Sequence, residues 1–154
     1  MNNQLPVFQE FLYANIPLVK SMQLNLTAIS SNSLSATAPL NPNINDKKTV
    51  FGGSSAALMT VCGWSLIKIH LEQQGFTNDV VIHQAETAWV KAQFDDLNIQ
   101  VYSQETINWQ SIEQQLQNNK RNVKIKLRCQ VVNQQAEICC SMLGSYVILN
   151  KQNT

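Results

Sequence analysis

Residues 45–55 combine an amide side chain with two adjacent glycines just before a long apolar stretch. Gly52 and Gly53 let the backbone turn tightly and come close to a ligand. The stretch that follows, residues 54–67, carries no charged side chain and is typical of a buried helix. The first turn of a helix leaves N–H groups unpaired at the positive end of the helix dipole. Such a helix start binds an anion, or a carbonyl oxygen that is gaining negative charge.

The elements before these glycines are predicted to be one helix and two strands. Apolar residues recur at helical spacing over 4–14, which predicts a short amphipathic helix that Pro17 ends. Apolar and polar residues alternate over 22–29, as in a half-buried strand, and 34–40 is the returning strand. The prolines that follow lead the chain out of the sheet.

The stretch after the glycines predicts a long helix over 53–74, apolar on most faces in its first half and ended by Gly75. The elements predicted after it are a strand over 79–94, a continuing or separate strand over 99–102, an amphipathic helix over 106–119, a strand over 123–131 and a last strand that ends near residue 149. The 123–131 strand alternates apolar with mostly charged residues, so one of its faces is buried and the other is solvated.

Length and composition favour a single globular domain over residues 1–154. Apolar residues make up 44% of the chain and charged residues 14%, which is atypical of a disordered protein. The cysteines show neither C-x-x-C spacing nor nearby paired histidines, so we expect no disulfide framework and no metal site. Buried, reduced thiols in a cytoplasmic protein are expected instead. The four cysteines are Cys62, Cys129, Cys139 and Cys140.

No segment of the sequence is typical of export or of membrane insertion. The N-terminus lacks the basic region, apolar core and cleavage site of a signal peptide. Residues 49–67 are uncharged, but glycine and serine dilute them, and the apolar part is shorter than the about 20 residues that a bilayer span needs. We therefore expect a core helix and no membrane partner.

The spacing of the polar and glycine residues resembles that of the hotdog-fold, thioesterase-like superfamily. Its members carry an Asn, a His-Gly-Gly six residues later, and an acidic residue nine positions after that His. Here these positions hold Asn45, Phe51-Gly52-Gly53 and Thr60. The Phe-Gly-Gly-Ser version, with Trp64 ten residues after Ser54, is similar to a narrower family. That family is a hotdog domain that stands alone in some bacteria and is fused to an acetyltransferase-like domain in others.

The similarity covers nearly the whole chain, including its ending at residues 142–149. It implies an α+β hotdog fold, in which a curved antiparallel sheet wraps around the long central helix. Hotdog proteins close an open sheet edge by dimerising, so the resemblance also implies a homodimer or a dimer of dimers. Hotdog sites usually lie between subunits.

The narrower family is labelled thioesterase, and some of its members are malonyl-acyl-carrier-protein decarboxylases. Phe51 replaces the His of the superfamily and Thr60 replaces the carboxylate, so the usual base for thioester hydrolysis is missing. Decarboxylation of a malonyl group needs no base. We therefore expect conversion of malonyl- to acetyl-acyl carrier protein, a step that initiates fatty-acid synthesis. An acyl-CoA or acyl-carrier thioesterase is the alternative, and a non-catalytic module that binds acyl carrier protein is a second one.

The resemblance also assigns roles to the residues of the motif. Asn45, the Gly53 N–H and Thr60 are the expected catalytic groups, with the Asn45 amide holding a thioester carbonyl or a carboxylate. The expected substrate-binding residues are Phe51, Gly52, Ser54 and Trp64. Coenzyme A or phosphopantetheine enters as part of the substrate, and no separate cofactor is expected.

Each of these residues also has a purely structural interpretation. Asn45 can bond the backbone of its own turn, and Ser54 can cap the long helix. Thr60 can bond the helix backbone, and Trp64 can fill the core instead of lining a tunnel. The two glycines can begin a helix that binds no ligand.

Four further ionisable residues are weaker candidates. Asp46, next to Asn45, and Glu86, on a predicted strand, are possible replacements for the missing base. His70 and His83 are distant from the motif along the chain, and we expect both on the surface or on a strand face.

Positive charge is concentrated near the C-terminus. Residues 1–119 hold five Lys and nine acidic residues, a balance of −4, whereas residues 120–154 hold six Lys or Arg and one acidic residue, a balance of +5. This asymmetry favours a local anionic partner over nucleic acid.

The densest part of this charge is a basic stripe formed by Lys124, Lys126 and Arg128, with Lys120 and Arg121 leading into it. Outward charges on a strand are often only a solvated face. The alternative is a site for the acidic acyl carrier protein or for the phosphates of coenzyme A.

Overall fold

The computed structural model describes residues 2–118 and 121–150. Its helices are α1 (Leu5–Asn15), α2 (Pro17–Ser21), α3 (Gly52–Gln73) and α4 (Trp109–Asn118), with 3-10 turns at Asn2–Gln4 and Asn41–Asn43. Its strands are β1 (Asn25–Ile29), β2 (Ser33–Ala38), β3 (Val80–Trp89), β4 (Leu97–Tyr102), β5 (Val123–Val132) and β6 (Ile138–Ile148). Asn119 and Lys120, expected at the end of the second amphipathic helix and beside the basic stripe, lie outside the described residues.

The six strands form one antiparallel sheet in the order β1–β2–β4–β5–β6–β3. Helix α3 packs against five of these strands, from β2 to β6, and the sheet curves around it. The α3 side chains that are wholly inaccessible to solvent are Leu58, Met59, Cys62, Ser65, Leu66 and Ile67. The expected α+β architecture, with a curved antiparallel sheet around a long central helix, is confirmed.

A glycine of α3 lets the helix approach the sheet closely at Tyr146. A Cβ atom on Gly63 would lie 2.2 Å from the Tyr146 hydroxyl oxygen, so any larger residue there would displace the tyrosine. Tyr146 is inaccessible to solvent, and its hydroxyl donates a 2.9 Å hydrogen bond to the Thr60 carbonyl oxygen. The polar tip of this large core residue is therefore satisfied by the helix backbone.

The predicted element bounds mostly agree with the structure, although α4 begins at Trp109 rather than at residue 106 and the bounds near α2, β1 and β3 also differ. Pro17 ends α1 as expected but also begins α2, because proline suits the first position of a helix. The first strand starts at Asn25 rather than at residue 22, since Gln23 takes a left-handed φ of 56°. Strand β3 ends at Trp89 and does not continue to residue 94.

Strand β3 lies at the edge of the sheet and pairs with β6 alone among the described strands. Most of its side chains are exposed. The apolar residues at its last position and just after it are exposed as well: Trp89 is 59% exposed, Val90 62% and Phe94 70%. An apolar sheet edge with unpaired backbone groups is a ready surface for pairing with another strand.

Two further expectations concern the whole chain. All four cysteines are buried and unpaired, in agreement with the sequence. Within residues 2–118 and 121–150, no helix combines the length and the apolar character that a bilayer crossing demands.

Candidate functional site

The first turn of α3 presents two free backbone donors. The Ser54 and Ser55 N–H groups donate to the Phe51 carbonyl oxygen at 3.0 and 3.3 Å. The N–H groups of Gly52 and Gly53 have no hydrogen-bond acceptor within the described residues. Both therefore remain available at the positive end of a helix of 22 residues, as an oxyanion site requires.

An aromatic side chain lies against each of the two glycines. A Cβ atom on Gly53 would come within 2.4 Å of the Phe51 ring, and one on Gly52 within 2.8 Å of the Trp89 indole nitrogen. The Trp89 indole N–H donates a 3.0 Å hydrogen bond to the Gly52 carbonyl oxygen. Two aromatic rings therefore flank the free N–H groups and hold the helix start in place.

A cavity of about 290 Å³ lies beside this helix start. Its walls include Gly52, Ser55, Trp89, Gln93, Cys139 and Cys140. No Asp, Glu or His is among the described residues that line it. Its size, just below the range of typical ligand pockets, suits a short acyl group.

Apart from Lys91, the polar side chains in the wall of this cavity are uncharged near neutral pH. Burial raises the pKa of the Cys140 thiol to about 11 and also raises that of Cys139, so neither is a thiolate near neutral pH. Gln93 is 4% exposed, and its Oε1 atom has no hydrogen-bond partner in the described part of the chain. Lys91, also in the wall, is ion-paired with Glu137.

The Asn45 side chain is bonded within its own loop. Its Oδ1 atom accepts hydrogen bonds from the backbone N–H groups of Lys47 and Thr49, at 2.9 and 3.0 Å. Its Nδ2 atom donates to the Thr49 hydroxyl at 2.9 Å and lies 3.5 Å from the Val50 carbonyl oxygen. Asn45 thus ties together the loop that leads into Phe51 and the helix start, and its role as a substrate ligand stays a prediction.

Thr60 and Trp64 lie farther along α3. At ~1.5 Å rise per residue they are roughly 10 and 16 Å from Gly53 along the helix axis, so one chain does not bring them to the free N–H groups. The Thr60 hydroxyl donates to the Ala56 carbonyl oxygen at 2.8 Å. The Trp64 indole N–H donates to the Val80 carbonyl oxygen at 2.8 Å, and its ring stacks on Phe11.

The remaining candidates are dispersed. Ser54 is buried but does not cap α3, because the N-cap position is Phe51. Asp46 is exposed and pairs with Lys47. Glu86 and His83 are exposed on β3, and the placement of His83 on a strand face agrees with the sequence.

The expectation that His70 lies on the surface is wrong. His70 is 7% exposed, and its ring stacks on Trp109 of α4 at a centroid distance of 4.3 Å. It lies near the C-terminal end of α3, where the Trp109 ring covers it. Its sequence neighbours gave no sign of this, because the contact is made by a helix nearly forty residues away.

The basic stripe is outward-facing, as expected. Lys124, Lys126 and Arg128 are exposed and alternate with buried apolar residues along β5. None of the three forms an ion pair with a carboxylate that the structure describes. All three also line a hollow of about 420 Å³ beneath the loop that precedes α4.

Sequence reasoning missed the residues that complete the cavity, namely Ser55, Trp89, Gln93, Cys139 and Cys140. They come from α3, β3, β6 and the loop between β3 and β4, which only the sheet topology brings together. The one local signal is Trp89, a large aromatic residue at the end of a strand, since aromatic residues with a polar edge often mark binding surfaces.

Comparison with known proteins agrees with this architecture. A family model described as "Putative thioesterase (yiiD_Cterm)" matches residues 5–150. A structure titled as the putative thioesterase from Shewanella oneidensis is 25% identical, with a TM-score of 0.84, and the match covers 97% of this chain and 99% of that one.

Two more distant structures show the same fold. A thioesterase from Haemophilus influenzae is 13% identical with a TM-score of 0.75, covering 95% of this chain and 90% of that one. The PaaI protein of E. coli is 11% identical with a TM-score of 0.68, covering 96% and 95%. The chain therefore belongs to the yiiD C-terminal thioesterase family and has the hotdog fold of the thioesterases that it resembles.

Proposed function

We propose that this protein acts on malonyl thioesters and converts malonyl-acyl carrier protein to acetyl-acyl carrier protein, the step that primes fatty-acid synthesis. The observation that carries this proposal is the chemistry of the α3 start. It offers two free N–H donors beside a cavity whose described walls hold no carboxylate and no imidazole. Such a site stabilises negative charge but does not activate water.

The reaction needs oxyanion donors but no base. The C–C bond between the malonyl carboxylate carbon and the methylene carbon breaks, and carbon dioxide leaves. The bonding electron pair passes into the thioester group, whose oxygen becomes an enolate oxygen held by the Gly52 and Gly53 N–H groups and the helix dipole. The methylene carbon then takes a proton from water and gives the acetyl thioester.

The walls of the cavity favour this outcome. The thiols of Cys139 and Cys140 are uncharged at neutral pH, so they do not repel the substrate carboxylate. The exposed ring of Phe51 lies over Gly53, where it shields the thioester from water. A site without a base and with restricted water access disfavours hydrolysis of the same thioester.

A second chain is part of the proposal. The exposed apolar edge formed by β3 and the residues after it fits an antiparallel copy of itself, which gives a homodimer that can associate further into a dimer of dimers. In such a dimer the partner's α3 and β3 lie next to this cavity. Thr60 and Trp64, which are remote from Gly53 of their own chain, can then contact the cavity of the partner chain.

Hydrolysis is the second candidate function, and the family description favours it. The two reactions differ in their products. Mass spectrometry after incubation with malonyl-CoA or malonyl-carrier protein distinguishes an acetyl thioester from a free thiol. Our proposal expects acetyl thioester as the main product, formed faster than any simple acyl thioester is hydrolysed. Free thiol as the main product would establish a thioesterase, and binding without turnover would establish a non-catalytic module.

A further inference from the structure

The basic stripe on β5 is a row of cations rather than a cluster. Lys124, Lys126 and Arg128 occupy successive outward positions, so neighbouring members are ~6.7 Å apart and the row is ~13 Å long. All three are exposed and free of ion pairs with described carboxylates. A single phosphate binds where several donors converge on one point, whereas a row of this length matches carboxylates along one face of a helix.

The surface beside the row offers an apolar contact. The 420 Å³ hollow that the three cations line also contains Leu143 of β6, which is 38% exposed. Protein interfaces combine an apolar centre with a charged rim, and this surface has both parts. Glu105 lies in the loop between β4 and α4, on the other side of the same hollow. Because its carboxylate repels negative charge, an acidic segment is expected to bind over β5 rather than over this loop.

One further hollow adjoins both this surface and the cavity at the start of α3. A second hollow, of about 610 Å³, shares Arg128 and Leu143 with the first. It also shares Val90 with the wall of the α3 cavity. Leu143 and Cys139 are four residues apart on β6, which corresponds to ~13 Å. A phosphopantetheine arm, about as long as an extended pentapeptide of ~17 Å, spans that distance.

We infer that the surface formed by Lys124, Lys126, Arg128 and Leu143 docks an acidic helix of an acyl carrier protein, whose arm then follows the sheet to the α3 cavity. This inference rests on the proposed function for its substrate, but it assigns the recognition to the carrier's protein part and not to a phosphate. Coenzyme A thioesters, which lack that helix, make no use of the stripe.

The test compares one acyl group on two carriers. Lys126→Glu and the double change Lys124→Glu with Lys126→Glu are assayed with malonyl-carrier protein and with malonyl-CoA. Lys20→Glu, at an exposed position on α2, makes the same charge change as Lys126→Glu and is the control for an effect of charge alone. We expect the double variant to raise KM for the carrier substrate roughly tenfold and to flatten its salt dependence, with KM for malonyl-CoA unchanged. Equal rises for both substrates, or none for either, would overturn the inference.

Binding of the apo-carrier protein, which has no arm, provides a readout that does not depend on turnover. Fluorescence anisotropy should show weaker binding to the double variant and unchanged binding to Lys20→Glu. If the wild-type protein binds apo-carrier in this manner but converts no malonyl thioester, the proposed reaction fails and the docking surface stands. If the two proteins bind apo-carrier equally well, the docking surface fails whatever the reaction.

Discussion

The indole N–H of Trp89, at the end of the sheet's edge strand, donates a 3.0 Å hydrogen bond to the carbonyl oxygen of Gly52, the first residue of α3. This bond couples the part of the sheet that is open to a partner chain with the part of the helix that carries the free N–H groups. The position of the free N–H groups therefore depends on a residue 37 positions away in the sequence.

Replacing that indole tests the coupling. Trp89→Phe keeps an aromatic ring and removes the N–H, so we expect the helix start to loosen and kcat for the malonyl thioester to fall by up to about tenfold, the equivalent of one hydrogen bond. Trp109→Phe is the matched control, because it removes a Trp N–H bond to the Ser31 carbonyl oxygen far from the cavity. The coupling is contradicted if the two variants have the same kcat.

Removing the Asn45 amide should be more severe. We expect Asn45→Ala to lower kcat by ~10²-fold, the range observed when one oxyanion donor is lost. Thr49→Val is informative beside it, because this change removes the hydroxyl to which the amide donates and leaves the amide itself. We expect Thr49→Val to retain most activity. If Asn45→Ala keeps a normal kcat and only lowers the melting temperature, the role of Asn45 is to stabilise its loop and not to bind substrate.

Thr60 should matter less than Asn45. Its hydroxyl already donates to the Ala56 carbonyl oxygen, so Thr60→Val removes a bond within the helix and leaves the free N–H groups in place. We expect a decrease in kcat below tenfold, measured with the same malonyl substrate. A loss as large as that of Asn45→Ala would place the Thr60 hydroxyl in contact with the substrate, across the dimer.

His70 predicts how stability depends on pH. Burial lowers its pKa below the ordinary value of 6.5, because the charged ring is desolvated against Trp109. The unfolded chain then binds a proton that the folded chain excludes. Stability is therefore complete above pH 6.5 and falls as the pH drops from there toward the folded pKa.

Urea unfolding at pH 7.5 and 5.5, at one fixed protein concentration, measures this effect. His70→Gln should lose part of the stability difference between the two pH values. His83→Gln, at an exposed position on β3, should keep it. An unchanged pH dependence in His70→Gln would show that His70 is not protonated differently on folding.

Periodic segments were predictable from the sequence, and contacts between distant segments were not. The alternation along β5 and the apolar run of α3 specified both elements and their buried faces, because each pattern is local. The burial of His70 under Trp109 was missed, since it depends on where α4 folds back. The hydrogen bond between Trp89 and Gly52 was missed for the same reason, because it forms only when β3 takes its place at the edge of the sheet beside β6.

The site was predictable only in its local part. The Phe51-Gly52-Gly53 motif gave the helix start and its free N–H groups. The cavity walls come from β3, β6 and the loop between β3 and β4, so their identity depends on topology. The sequence allowed two roles for Asn45, namely bonding within its own loop and binding substrate. The spacing of Asn45 from the glycines fits both roles and does not distinguish them.

The proposed reaction depends on the Gly52 and Gly53 N–H groups binding the thioester oxygen. The chain has five glycines, so ¹⁵N-glycine labelling gives a spectrum with five backbone amide signals at most. The probe is an acetyl-CoA analogue in which an amide replaces the thioester. We predict downfield shifts of the Gly52 and Gly53 amide protons on binding, with the Gly75 signal, beyond the other end of α3, unmoved. Saturable binding of the probe with the Gly52 and Gly53 signals unchanged would contradict the account.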